Sequence, residues 1–104
     1  PTYVQLGHFQ VPVFDGDTLT GQLVLDATLQ LADASAQEKT TARIVVAANA
    51  VLRDLYDVAA LIAMSGDALP LSPLKARLQA TAQRALGPEF KVELLVQNYA
   101  YAKF

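Results

Sequence analysis

The stretch LTGQLVLDATLQL, residues 19–31, alternates between apolar and polar side chains. Its odd positions are Leu19, Gly21, Leu23, Leu25, Ala27, Leu29 and Leu31. Its even positions are Thr20, Gln22, Val24, Asp26, Thr28 and Gln30, with Val24 the one exception. A strand turns successive side chains to opposite faces, so this segment is expected to have one apolar and one wet face. An apolar sheet face needs a cover. Two helical patterns and one more alternating segment follow. That order predicts an α+β domain, β-β-α-α-β: a mainly antiparallel sheet of about three strands with two helices packed on one face.

Upstream, Tyr3 to Phe14 reads as a first strand, rich in Val and Phe. Pro12 has no N–H, which places this strand at an edge or ends it there. Asp15-Gly16-Asp17 is a turn signal, because Gly16 takes positive φ at little cost. The two strands are expected to pair as a hairpin. The second approaches 40 Å at about 3.3 Å per residue, and Gly21 is the natural place for a bulge or bend.

Downstream, Ser35 and Glu38 have the spacing of a capping box. Ile44, Ala48, Val51, Leu55, Val58 and Ile62 recur at helical spacing, with Arg43, Asn49, Arg53 and Asp57 off that stripe. Arg53 and Asp57 stand four apart, the distance of a helical ion pair. A helix running to Met64 would be about 45 Å long, so a kink is expected. Ser65-Gly66-Asp67 stops it. Ser72 is expected to cap a second helix with Pro73 at its first position. Leu74, Leu78, Ala82 and Ala85 form its stripe, and Gly87-Pro88 ends it. In the closing segment, Phe90, Val92, Leu94, Val96, Asn98, Ala100 and Ala102 are expected on one face. Lys91, Glu93, Leu95, Gln97, Tyr99, Tyr101 and Lys103 are expected on the other.

The chain has 104 residues, 53% hydrophobic and 17% charged, the balance of one folded domain over residues 1–104. A net charge of −2 excludes the basic footprint that nucleic acid requires. No polybasic run addresses anionic lipid. With no cysteine, disulfides, thiol nucleophiles and cysteine metal sites are excluded. The most apolar window, Ile44 to Met64, is broken by Asn49, Arg53, Asp54 and Asp57 and reads as a buried helix, not a membrane span. Pro1 stands where a methionine would, which reads as processing or excision from a longer protein.

No catalytic, cofactor or metal signature stands out. His8 is the one histidine, and it sits in a strand with no nucleophile near it in sequence. Asp15, Asp17 and Asp67 belong to turns, and the twelve-residue calcium pattern is missing. Asp54 and Asp57 share a helix face beside Arg53, a solvated charged strip more simply than an acid–base pair. Tyr99, Tyr101 and Phe104 are the candidate partner-binding surface, since aromatics anchor interfaces. Arg53 and Asp57 are added to it as exposed charges.

Against that background the chain resembles the periplasmic domain of the flagellar basal-body-associated FliL family across nearly all its length. The opening PTYVQLGHFQVPV resembles that family's aromatic-x-x-Leu-x-x-Phe-x-Val entry through Tyr3, Leu6, Phe9 and Val11. LTGQLVLDATLQLAD resembles its long second strand. NAVLRDLYDVAALIAMSGDAL resembles the helix with an Arg-Asp pair, here Arg53 and Asp54. SPLKARLQATAQRALG and FKVELLVQNYAYAKF resemble its second helix and closing strand. The resemblance implies a fold similar to the stomatin/prohibitin (SPFH) domain and a location on the periplasmic side of the bacterial inner membrane. It implies a single anchoring helix upstream of Pro1. It further implies homo-oligomers or rings around the stator proteins of the flagellar motor, with no enzymatic activity and no cofactor. The alternative is a small-ligand or peptide-binding α+β module, for which a pocket lined by Gln97, Tyr99 and Tyr101 would speak. An enzyme relying on His8 is a third reading. For the sheet itself, Leu25→Asp is expected to unfold the domain and Thr28→Asp, on the wet face, to be mild.

Overall fold

The structure, a computed structural model, describes residues 2–104. Strand β1 (Thr2–Asp15) and strand β2 (Thr18–Leu31) form a long antiparallel hairpin. Gly16 closes it at φ 61, a left-handed conformation that glycine adopts without a steric penalty. A short 3₁₀ turn (Ala34–Ala36) leads into helix α1 (Gln37–Ser65), followed by helix α2 (Leu71–Leu86) and strand β3 (Val92–Lys103). The sheet order is β1-β2-β3, all antiparallel. Helix α1 lies over β1 and against α2, which lies over β3. The expected α+β architecture, one sheet with two helices on one face, is therefore the observed one. The molecule is elongated, 46 × 20 × 18 Å.

The β2 row from Leu23 to Leu31 faces the helices as expected, with Leu23, Leu25, Ala27 and Leu29 at most 1% exposed. Its neighbours match it only through three register shifts. Counted from the turn, Phe9, Val11 and Val13 would fall opposite the polar positions of β2. A shift beside Thr20 moves them opposite Leu25, Leu23 and Gly21. A second, at Leu6, restores the match of Val4 to Leu29. The third, at Gln97, lets Val96 pair with Ala27 and Tyr99 with Leu25. A bulge inserts one residue and so changes which face the following side chains take.

Two expectations change for this reason. Leu19 is not in the core row: it pairs with Phe14, and both are about half exposed, at 47% and 50%. Tyr99 and Tyr101 are not on the face of Lys91 and Glu93. Beyond the Gln97 bulge they join the core side and pack against it, leaving Asn98, Ala100 and Ala102 outward.

The helices follow their stripes. Ala47, Val51, Leu55, Val58, Ala59 and Ile62 are buried along α1, and Leu74, Leu78, Ala82 and Leu86 along α2. The capping box of Ser35 and Glu38 is not formed. Asp33 is the cap instead, accepting the Ser35 N–H at 3.0 Å, and the 3₁₀ turn delays α1 to Gln37. Helix α1 runs unbroken over 29 residues and ends where Gly66 turns left-handed at φ 79. Helix α2 starts at Leu71, before Ser72, and Pro73 still falls within the first turn, where no N–H partner is needed.

Helix α2, 16 residues, spans about 24 Å, against about 40 Å for the 12 residues of β3, so it covers only part of that strand. The 66–70 connection reaches further along, and the Tyr99 hydroxyl donates to Leu69 O at 2.7 Å. On the covered part, Gln79 treats the free edge of β3 as a strand would. Its amide donates to Val92 O at 2.9 Å and accepts from Leu94 N at 2.6 Å.

The outer face is not uniformly wet. Thr28 is only 7% exposed, and its hydroxyl donates to Gln97 Oε1 at 2.8 Å. A charge at Thr28 would break that bond in a covered place, so Thr28 is no mild position. Gln22 is the better outer-face control. Leu25→Asp should cost at least about 4 kcal/mol in urea unfolding, and Gln22→Asp less than about 1 kcal/mol. Gly21→Ala tests the packing between strands. A Cβ there would stand 2.6 Å from both Ala102 O and the Tyr101 ring. A loss of about 1–3 kcal/mol is expected, and an unchanged unfolding midpoint would contradict the closeness of β2 and β3 at this point.

Candidate functional site

Three surfaces carry the chain's distinctive side chains. The first is the solvent-facing seam between α1 and α2. All four arginines of the chain, Arg43, Arg53, Arg77 and Arg84, lie along it. Arg43 donates to Ala85 O at 3.2 Å and so ties α1 to the end of α2. Arg77 Nε donates to Asp54 Oδ1 at 2.7 Å, and the Thr81 hydroxyl donates to Asp54 Oδ2 at 2.8 Å. Asp54, with its side chain 11% exposed, is thus engaged through both oxygens. A carboxylate this covered needs such partners.

The expected Arg53–Asp57 pair is not formed. Asp57 lies 3.9 Å from Arg77, and among the described residues Arg53 has no carboxylate within 4.0 Å. Asp54 and Asp57 are separated in role as well: one fastens the helices together, the other is 75% exposed. Arg53 and Arg84 flank a cleft of about 430 Å³ whose lining includes Val46, Ala50, Thr81 and Ala85. The small side chains of Ala50 and Ala85 leave the space, and the two guanidinium groups supply donors at its sides. Asp54 and Asp57 line the cleft as well; Asp54 is already engaged by Arg77 and Thr81, so the two guanidinium groups are left to meet a carboxylate from outside.

The second surface is the aromatic end. Tyr99, Tyr101 and Phe104 do not form one patch. Tyr99 is held by Leu69 O, and burial pushes its phenol up from the ordinary value. Tyr101 packs against the core, while Phe104 is 73% exposed. Gln97 sits at the outward bulge, so the pocket of Gln97, Tyr99 and Tyr101 expected of a ligand-binding module is not formed.

The third surface escapes a reading of the sequence in one dimension. His8 pairs across the sheet with Asp26, and Asp26 with Asn98. His8 Nδ1 lies 2.5 Å from Asp26 Oδ1, Gln10 Nε2 lies 3.2 Å from His8 Nε2, and Asn98 Nδ2 donates to Asp26 Oδ2 at 3.3 Å. One hydrogen-bonded row therefore crosses all three strands on the outer face. With the proton on Nδ1, the ring donates to Asp26 and accepts from Gln10. The bond from His8 holds the Asp26 carboxyl below the ordinary value, against an opposing effect of burial and with help from the Asn98 amide. The signal for this row was present in the apolar patterns. They align only if β1 and β2 shift by one residue near Thr20, and that shift moves His8 from opposite Leu25 to opposite Asp26.

Among the described residues no group of three or more His, Cys, Asp or Glu is placed to hold a metal ion. Among the same residues no helix is long and apolar enough to cross a membrane. No protein-family model, curated protein or solved structure matches the chain.

The row gives a pH dependence of fixed sign. The folded-state pKa of Asp26 is lowered, so its contribution to stability is full above the unfolded-state value of about 4 and fades as pH falls through the lower folded value. Urea midpoints measured from neutral pH downward should show Asp26→Asn losing less stability below about pH 4 than the parent chain does. Parallel curves would mean that the His8–Asp26–Asn98 row does not form in solution.

Proposed function

We propose that this chain is a non-enzymatic scaffold domain of the bacterial flagellar motor. In this reading it is a FliL-like periplasmic domain, tethered to the inner membrane by a helix upstream of Pro1. It self-associates into oligomers or rings around the stator proteins and supports stator engagement. One observation carries the reading: the segments that resemble the family follow the elements in order, in one layered domain. Residues 19–33 contain all of β2 but Thr18, 72–87 all of α2 but Leu71 and 90–104 the whole of β3, while 49–69 take the second half of α1 and its left-handed stop.

A scaffold of this kind acts through surfaces and not through a reaction centre. Deletion of the coding region in the source bacterium is expected to reduce swimming in viscous medium, with recovery when the full-length protein is returned. Full motility of the deletion strain, together with a strictly monomeric full-length protein, would overturn the proposal.

A further inference from the structure

Among the described residues the hairpin tip holds two carboxylates with no cation within 4.0 Å, and the helix seam two guanidinium groups with no carboxylate that close. At the tip, Asp15 and Asp17 flank Gly16 and are exposed, with half-exposed Phe14 and Leu19 beside them. Among the described residues no cation lies within 4.0 Å of either carboxylate. In the seam, Asp54 is taken by Arg77 and Thr81. Among the described residues Arg84 hydrogen-bonds the Thr81 hydroxyl, at 3.4 Å, and neither Arg84 nor Arg53 has a carboxylate within 4.0 Å. Two guanidinium groups therefore face solvent in a chain whose net charge is −2.

From this we infer that the acidic hairpin tip of one copy docks into the arginine-flanked cleft between α1 and α2 of another. The contact rests on the self-association proposed above and names the surfaces that make it. A two-residue turn is narrow enough to enter a cleft with Ala50 and Ala85 in its lining. Asp15 and Asp17 then meet Arg53 and Arg84. Phe14 and Leu19 come against Val46, which is 49% exposed in the same cleft. The contact cannot close within one chain. The tip ends a hairpin of two 14-residue strands, whereas the cleft opens on the far side of the helices from the sheet. Asp57, also at the cleft, is the one exposed like charge there and is 3.9 Å from Arg77. Joining different surfaces head to tail leaves a free tip and a free cleft at each step, so the assembly grows, into a ring where the rotation per copy closes and into an open filament where it does not.

Reversal of charge tests this on the 104-residue chain by sedimentation velocity, with circular dichroism to verify folding. All four substituted residues are exposed, so both variants should fold. The parent chain should self-associate, more weakly at high salt. Arg53→Glu/Arg84→Glu and Asp15→Lys/Asp17→Lys should each weaken association by roughly tenfold or more. An equimolar mixture of the two should recover it, because each acidic surface again meets a basic one. If the parent associates and both variants associate equally well, this docking is wrong while self-association stands. Loss in both variants without recovery on mixing would also overturn the pairing. A parent chain that stays monomeric would overturn the docking and count against self-association of the domain as well.

Discussion

One constraint organises this molecule: the apolar row of β2 has to face the helices along its whole buried length, and both neighbouring strands must present their own apolar side chains to the same side. Side chains alternate with a period of two, so a strand that begins in step with β2 stays in step. The apolar positions of β1 change from even to odd between Leu6 and Phe9, and those of β3 between Val96 and Tyr99. No straight pairing satisfies both halves. The extra residues at Leu6, Thr20 and Gln97 are the resolution, and they decide which polar groups meet on the opposite face.

That constraint explains what could be read from the sequence. The β2 alternation, the turn at Gly16, the helical stripes and the stop at Gly66 depend on local spacing, and each appears in the fold where spacing puts it. An unbroken alternation puts Tyr99, Tyr101 and Leu19 on the wrong sides, because it carries the wrong parity past a bulge. The His8–Asp26 pair was invisible for the same reason, since it is a product of register. Local pattern also misled at the start of α1. Ser35 and Glu38 have capping-box spacing, yet Asp33 two residues earlier takes the Ser35 N–H and diverts the chain through a 3₁₀ turn.

The helical layer depends on a different kind of matching. Ala47, Ala59 and Ala82 are small side chains buried on the inner sides of the two helices, and the outer side of the seam between the helices stays accessible. Asp54 then becomes the one charged group drawn well into that seam, and Arg77 and Thr81 answer it from α2. The same spacing that removes Asp54 from solvent leaves Arg53, one residue earlier and turned about 100° around the helix, on the outside. Adjacent residues in an Arg-Asp pair thus have separate structural fates: one fastens the helix pair, the other faces whatever approaches it.

The Gln79 side chain has a consequence for how sheets of neighbouring molecules can join. Its amide occupies the donor at Leu94 and the acceptor at Val92, the groups that an incoming strand would have to use. A side-chain amide has the same pair of functions as a peptide unit, so it serves as a surrogate strand one residue long. It leaves nothing at that point to template another chain. The opposite edge belongs to β1, where Pro12 has no N–H to offer. One edge is plugged and the other interrupted, which makes this long three-stranded sheet a poor seed for continuous β-stacking however many copies are brought together.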